Sequence, residues 1–411
     1  MPSPPVYTAI PFVAMLFAIA LGPLAAPRWW EANRHKLVVS VALAVPVVGL
    51  YLVRQPSALT ETAEEYVSFI VLLAGLYAIS GGILLQGDLE ATPLTNTAFL
   101  GLGAALASCI GTTGASLLLI RPLLQTNRER QRVKHTVIFF IFLVSNVGGL
   151  LTPLGDPPLF LGYLQGVPFI WTFRLWLPWL TMVGALLVVY FCWDSVQHAR
   201  ESAGPLRRDR LRIEPLRVRG TGNVVLLAGV SAAVALLRAP GREAAIVALA
   251  AISLWATPHR IRRENGFTAW PMVEVATLFF GIFITMIPAL ELLRLRGHEL
   301  GVREPWQFFW ASGLMSSFLD NAPTYLAFVA LGQGLRLADE IIGMPHTLLA
   351  AISVGSVVMG ANSYIGNAPN FMVKAIAEEA GIRMPSFAGY MVYSAGILIP
   401  LFGAITLIFF R

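Results

Sequence analysis

The chain has 411 residues, of which 56% are apolar and 13% charged, whereas soluble domains carry roughly 25% charged residues. Fifty-two charged side chains cannot clothe so much apolar surface in water, so a soluble enzyme, a nucleic-acid binder and a disordered protein are excluded despite a pI of 9.5. The net charge of +6 then belongs to loops facing anionic lipid and cytoplasm. Cys109 and Cys192 both lie in apolar runs and imply neither a disulfide framework nor a zinc site.

Crossing the hydrocarbon core takes about 20 apolar residues. In chain order the first such run is 7–26. It follows Met1-Pro2-Ser3-Pro4-Pro5, which has no basic n-region, and no clear cleavage site follows it, so it reads as a span rather than a signal peptide. Spans follow at 37–54 and 65–86, then a stretch at 95–125 broken by Gly111-Thr112-Thr113-Gly114, an interrupted span at 134–163, and a span at 174–193. A hydrophilic segment, 194–220, separates these from spans at 221–238, 243–258 and 271–291. A second broken stretch, 305–333, contains Asp320-Asn321-Ala322-Pro323, and an interrupted span at 346–373 and a last span at 388–410 complete the chain.

Each broken stretch is either a kinked crossing or a re-entrant hairpin, and charge decides between them. Lys and Arg cluster at 27–37, 121–134, 194–220, 259–266 and 373–386. If both stretches are hairpins, all five clusters fall on one side, with 20 of the 29 basic residues; as full crossings they would scatter the clusters over both faces. The positive-inside rule therefore predicts hairpins, both termini outside, and a cytoplasmic topogenic linker at 194–220 carrying Arg207, Arg208, Arg210, Arg212, Arg217 and Arg219.

The two halves resemble each other without gaps. A shift of 211 residues gives nine identities over 135–160, including His135-Thr136 on His346-Thr347, Gly149 on Gly360, Gly155 on Gly366 and Pro158 on Pro369. Asp156 then falls on Asn367 and Thr152 on Ser363, and a shift of 209 places Glu65 on Glu274 and Ser108 on Ser317. Five crossings per half is an odd number, so the second half is inverted relative to the first, an architecture of many secondary transporters. The expectation is an all-α polytopic membrane protein of about ten transmembrane helices and two re-entrant hairpins in two inverted repeats: 1–193, a basic linker at 194–220, and 221–411.

The segment Ser145–Pro158 holds three glycines and three prolines and cannot stay helical. Its prolines free the carbonyls of Gly149, Pro153 and Leu154 and force Asp156 into an extended conformation. Within lipid such groups are tolerated where they line a cavity or bind something. Unwound carbonyls with Asn146, Thr152 and Asp156 oxygens suit a hard monovalent cation. The second half supplies Asn362, Asn367 and Asn370 where the first has an acid, and its hairpin tip supplies Asp320. A lone Asp at the bilayer centre costs roughly 2.5–3.5 kcal/mol, so Asp156 and Asp320 are the candidates for proton/cation exchange; both also sit where a helix N-cap is expected. Glu65 and Glu274 are expected at solvated span mouths, His135 and His346 at the interface, and Arg121 snorkelling to the surface. Trp29, Trp30, Trp171, Trp176, Trp179, Trp270 and Trp306 are expected as interfacial anchors.

The Ser145–Pro158 stretch and Phe318-Leu319-Asp320-Asn321-Ala322-Pro323-Thr324 resemble the ion transporter superfamily. That superfamily includes NhaD-type sodium/proton antiporters, arsenite pumps, citrate–metal symporters and divalent anion/sodium symporters. The sodium/proton antiporter-like branch is the most similar, with the citrate-transporter-like branch beside it. The resemblance implies a dimerising scaffold domain, hence a homodimer in the bilayer of the plasma (bacterial inner) membrane, and a mobile transport domain. It further implies one cation site between Gly111–Gly114 and Ser145–Gly155 and another between Asp320–Thr324 and Gly360–Gly366. Thr112, Thr113, Ser145, Asn146, Gly149, Thr152, Gly155, Asn321, Thr324, Asn362, Ser363, Gly366 and Asn367 are the expected binding residues. Asp156, Asn146, Asp320, Asn321 and Asn367 are the expected sodium ligands.

The hairpin tips depart from the Ser-Asn-Thr pattern of the dicarboxylate branch, and Asp320 adds a negative charge there. This favours monovalent cation/proton antiport by alternating access over cation-coupled citrate or dicarboxylate transport. Neither reading involves an enzyme, a cofactor beyond sodium ions and protons, or nucleic acid. An ion channel and an intramembrane aspartyl protease using Asp156 and Asp320 are the other classes weighed.

Overall fold

In the computed structural model the described residues are 4–202, 204, 207, 209 and 213–411, with Leu24 described by its backbone alone. Arg208, Arg210 and Arg212 of the basic segment lie outside them. The chain is almost wholly helical. The first half comprises α1 (Ile10–Ala25), α2 (Asn33–Arg54), α3 (Pro56–Ser80), α4 (Pro93–Ile110), α5 (Thr112–Thr126), α6 (Lys134–Leu143), α7 (Pro157–Leu164) and α8 (Trp176–Ala199). The second comprises α9 (Gly222–Leu236), α10 (Gly241–Ala256), α11 (Trp270–Arg296), α12 (Pro305–Ser316), α13 (Asn321–Gly334), α14 (His346–Val358), α15 (Ala368–Glu379) and α16 (Phe387–Ile405). Among the described residues, eight helical segments are long and apolar enough to cross a membrane, and two shorter apolar ones accompany them. The all-α polytopic expectation holds.

Local chemistry sets the helix starts. Pro56, Pro93, Pro157 and Pro305 each open a helix, where the missing N–H costs nothing and φ is already helical. Thr92 caps α4 through the Thr95 N–H, and Glu304 and Gln307 form a capping box on α12.

Both broken stretches are hairpins. Helix α4 ends at Gly111, whose φ of +83° belongs to glycine, and α5 then runs back along it. At the far ends of the two arms, Asn96 and Asn127 exchange amide hydrogen bonds of 2.9 Å in both directions. Part way along, a methyl group on Gly103 would touch Leu119. The second hairpin closes likewise, with Phe308 of α12 edge-on to Phe328 of α13 at 6.2 Å. Helix α4 is long enough to be taken for a crossing on length alone; its pairing with α5 makes it a hairpin arm. Among the described residues seven long apolar segments then remain as candidate crossings, in α1, α2, α3, α6, α8, α11 and α16, with the shorter α9 and α14 beside them.

The basic clusters share one face. Lys36 pairs with Glu274 at 2.5 Å, joining the first turns of α2 and α11. Arg262 donates to the Ala78 carbonyl, Asn265 to that of Ile83, and the Glu201 carboxylate accepts from the Gln131 and Arg132 backbone. A two-stranded antiparallel sheet, β1 (Leu84–Asp88) with β2 (Glu214–Arg219), closes this face, pairing Leu84 with Arg219 and Gln86 with Arg217. The sheet corrects two boundaries. Residues 84–86 leave the membrane in a strand instead of ending a span, and α8 continues to Ala199, six residues into the segment expected to be linker. The opposite face gathers Arg54 with Glu291, and Arg294 with Gln165 and Gln333.

Packing divides the helices into two bundles. Helices α1, α2, α3, α9, α10 and α11 pack chiefly on one another. The hairpins, both interrupted spans, α8 and α16 form the second bundle, which meets the first mainly where α13 lies on α11. Helix α6, buried at nine of its ten residues, is apolar all round beyond Thr136, as a crossing enclosed by protein must be.

Candidate functional site

The two interrupted spans unwind beside each other, Asn367 of one reaching Asp156 of the other. After α6 a short 3₁₀ turn, Val147–Leu151, gives way to extended backbone, and Asp156 stands at φ −143°, ψ 144° before Pro157 opens α7. After α14 the turn Met359–Asn362 does the same, and Asn367 takes φ −147°, ψ 140° before α15. Both loops fold back so tightly that a methyl group on Gly155 would overlap the Gly149 carbonyl, and one on Gly366 the Gly360 carbonyl. The hydrogen bonding repeats as well. Ser108 and Thr152 bond the backbone of Gly148 and Ser108, while Ser317 and Ser363 bond that of Met359 and Ser317.

Asp156 is 1% exposed, and its two oxygens accept from three chain segments. Thr112 Oγ1, at the first hairpin tip, donates to Oδ1 at 2.8 Å; Asn321 Nδ2, at the second tip, donates to Oδ2 at 2.9 Å; Asn367 Nδ2, from the second interrupted span, donates to Oδ1 at 3.2 Å. Among the described residues no Lys, Arg or His forms an ion pair with it. Asp156 makes no side-chain cap on α7. Asp320 does cap: its carboxylate accepts from the Ala322 N–H at 3.0 Å, and it remains partly exposed. The two acids make no hydrogen bond to each other.

The amides extend outward from the acid. Asn367 Nδ2 also reaches the Ser145 carbonyl (3.0 Å) and Asn146 Oδ1 (3.3 Å), so three acceptors share two N–H groups. Asn146 donates to the Ile141 carbonyl and to Asn370 Oδ1, and Asn370 donates to the Gly360 and Ser363 carbonyls. The Ser145 hydroxyl meets Ser116, and Ser316 meets Asn321. The two expected sites are therefore one connected network, because Asn321 and Asn367 of the second half reach across to the acid of the first.

Other expected residues fall elsewhere. Thr152 and Ser363 tie the loops to the hairpins, Thr324 bonds back to the Asp320 carbonyl, and Thr113 takes no part in the network. Asn362 donates to Ser317, and its Oδ1 is buried with no partner. Asn370, Ser116 and Ser316 belong to the network although the binding-residue reading left them out; Asn370 stands one helical turn beyond Asn367, which is the signal that could have found it.

Three further expectations are corrected. Glu65 and Glu274 are not simply solvated: Glu65 accepts from Gln165 at 2.7 Å and Glu274 pairs with Lys36. His135 is buried and bonds Asp194 at 2.8 Å, beside the bidentate Arg130–Asp194 pair. Trp30 and Trp171 are buried, the latter donating to His346.

Four helix N-termini, those of α5, α7, α13 and α15, meet at this network. Each brings a partial positive charge of about half a unit, although α7 opens on Pro157-Pro158 and its Leu159 N–H already bonds the Asp156 carbonyl. The centre can thus hold an anion against helix ends and amides, or a cation against Asp156 and unwound carbonyls. Among the described residues no group of three His, Cys, Asp or Glu is placed to hold a metal ion. A protein-family model described as "Putative citrate transport" matches residues 2–410. Comparison with curated proteins gives no match.

Proposed function

The chain belongs to this citrate-transport family, and from that premise we propose that it is a cation-coupled secondary transporter of a citrate-class polycarboxylate. The carrying observation is the Asp156 network: one buried acid, held by neutral donors from both halves, where four helix N-termini converge. A carboxylate in that position repels a polycarboxylate until a sodium ion or proton neutralises it. Once it is neutralised, the N–H groups of the Asn146, Asn321, Asn367 and Asn370 amides and the helix ends attract a polycarboxylate, and Asp320, capped by the Ala322 N–H, is the acid that remains beside them. Cation and anion therefore bind together, which is the condition for symport. Alternating access follows if the bundle of hairpins and interrupted spans moves against the other six helices. The same reading places the basic face in the cytoplasm of a bacterial inner membrane, both termini outside, and the six-helix bundle at a homodimer interface.

A second reading, monovalent cation/proton antiport, is supported by the absence of any basic side chain paired with Asp156 among the described residues, since sodium and proton would compete for one carboxylate. Purified protein in proteoliposomes separates the two. Labelled citrate should accumulate when an inward sodium or proton gradient is imposed, and Asp156→Asn should abolish the dependence on that gradient while the protein still purifies folded. Sodium-driven proton movement without citrate uptake would replace symport with antiport. Citrate flux in Asp156→Asn that follows the gradient as in wild type would remove Asp156 from either mechanism.

A further inference from the structure

On the basic face, the ends of α5, α6 and α15 remote from Asp156 open into a cavity of about 850 Å³. The three helices pack side by side; their near ends carry Thr112, Ser145 and Asn367, so the cavity lies at the foot of the elements that build the centre. Arg121, Arg128, Lys134 and Arg383 line it, against a single acid, Glu379. Arg130 also lines it but is committed to Asp194. Among the described residues the other four cations make no hydrogen bond or ion pair, and all four are exposed.

The positive-inside bias accounts for the sign of these loops but not for the convergence of charges 249 to 262 residues apart, 121–134 and 383, on one cleft. Nor is the charge a by-product of the internal repeat. The equivalent positions under the two shifts are Ala330, Leu337, Pro345 and Thr172, none of them basic.

We infer that this cleft is a binding site for a multivalent oxyanion, a vestibule that holds the polycarboxylate on the basic side of the membrane next to the helices that pass it to the centre. The inference deepens the transport reading and rests on it for the identity of the anion. Concave sites of this size hold small molecules, and four unpaired cations around one carboxylate select multiple negative charge. The phosphate of an anionic lipid headgroup offers the same chemistry, so the test distinguishes the two sources.

Full-length protein in nanodiscs of neutral phosphatidylcholine is titrated with labelled citrate at low and high salt, as wild type, as Arg128→Gln/Lys134→Gln/Arg383→Gln and as Asp156→Asn. The triple variant should bind citrate roughly tenfold more weakly and lose most of the salt dependence, whereas Asp156→Asn keeps a salt-sensitive component. If an anionic lipid headgroup shares the cleft, phosphatidylglycerol in the nanodisc weakens citrate binding in wild type and not in the triple variant. Pyrophosphate serves as a second probe: its salt-sensitive binding, lost in the triple variant while citrate binds to neither protein, would uphold the cleft and sink the citrate reading. Arg383→Glu alone replaces the triple variant if that fails to insert. Identical citrate, pyrophosphate and phosphatidylglycerol responses in wild type and variant would overturn the inference and leave the charges topogenic.

Discussion

At the scale of single residues, Asp156 and Asp320 show how one side-chain type takes two jobs. Asp320 spends its carboxylate on the Ala322 N–H, an ordinary cap, while Asp156 leaves its helix uncapped and turns to Thr112, Asn321 and Asn367. The loop carrying Asp156 depends on the closeness of Gly149 and Gly155. Gly155→Ala would press a methyl group into the Gly149 carbonyl, and overpacking of this kind costs roughly 1–3 kcal/mol or more. The variant should therefore melt several degrees lower in detergent and bind citrate poorly. Gly184→Ala on α8, where nothing lies within 4 Å of the added carbon, should match or exceed wild type, since alanine is favoured over glycine within a helix by roughly 0.5–1 kcal/mol.

The acid and the amides were legible in the sequence because Gly and Pro interrupt long apolar runs, and only polar side chains can repay the broken backbone there. Their partnership across 165 and 211 residues was not, because neither half contains the other's half of the bond. His135, expected at the interface, was hidden for the same reason: like Arg130 and Asp194 it stands near a span end, and only the fold buries the three together.

At the scale of elements, that cluster fastens the first hairpin to its neighbours. Arg130 follows α5, His135 opens α6, Asp194 lies on α8, and the Asn96–Asn127 clasp sits beside them, Asn96 reaching Asp194 at 3.4 Å. Removing one member of a buried ion pair strands the other, at roughly 3–5 kcal/mol. Asp194→Ala should lower the thermal midpoint strongly, and Arg130→Ala/Asp194→Ala less than the sum of the two single changes, a coupling that a double-mutant cycle reads directly.

The sheet carries a pH-dependent element. Burial, reinforced by Glu129, Asp209 and Glu214, pushes the Asp88 carboxyl on β1 up to about 6, against roughly 3.9 in an unfolded chain. The folded protein keeps a proton that the unfolded chain releases, so this contribution is present below about pH 4 and is lost as pH rises through about 6. Wild type should lose more thermal stability than Asp88→Asn between pH 4.5 and 7; parallel curves would contradict this. The sheet itself escaped sequence reading, since Leu84 and Leu85 prolong an apolar run and β2 looks like basic linker.

At the scale of the whole molecule, hairpins that return to their own side put residues 121–134, 259–266 and 378–386 on one face. In a Cys109→Ser/Cys192→Ser background, cysteines at Gln131 and Arg260 should react with a membrane-impermeant thiol reagent from one side, and cysteines at Ser57 and Arg238 from the other. Labelling of Ser57 and Gln131 from the same side would dismantle the first hairpin, because α3 is the one other crossing between them. Charge clusters made this arrangement readable, because a kinked crossing at either broken stretch would have reversed every cluster after it.

The Asn367–Asp156 bond joins two positions that the repeat makes equivalent, and it leaves one acid where strict symmetry would leave two or none. Under the proposed coupling, a single monovalent cation cancels the charge of Asp156, so the loaded centre carries the charge of its polycarboxylate and the empty one that of the Asp156 carboxylate. Membrane voltage acts on a moving charge at about 2.3 kcal/mol per 100 mV, so it would act on the loaded step as well as on the return of the empty carrier. A second acid at 367, as in Asn367→Asp, would double that charge and shift the voltage-sensitive step.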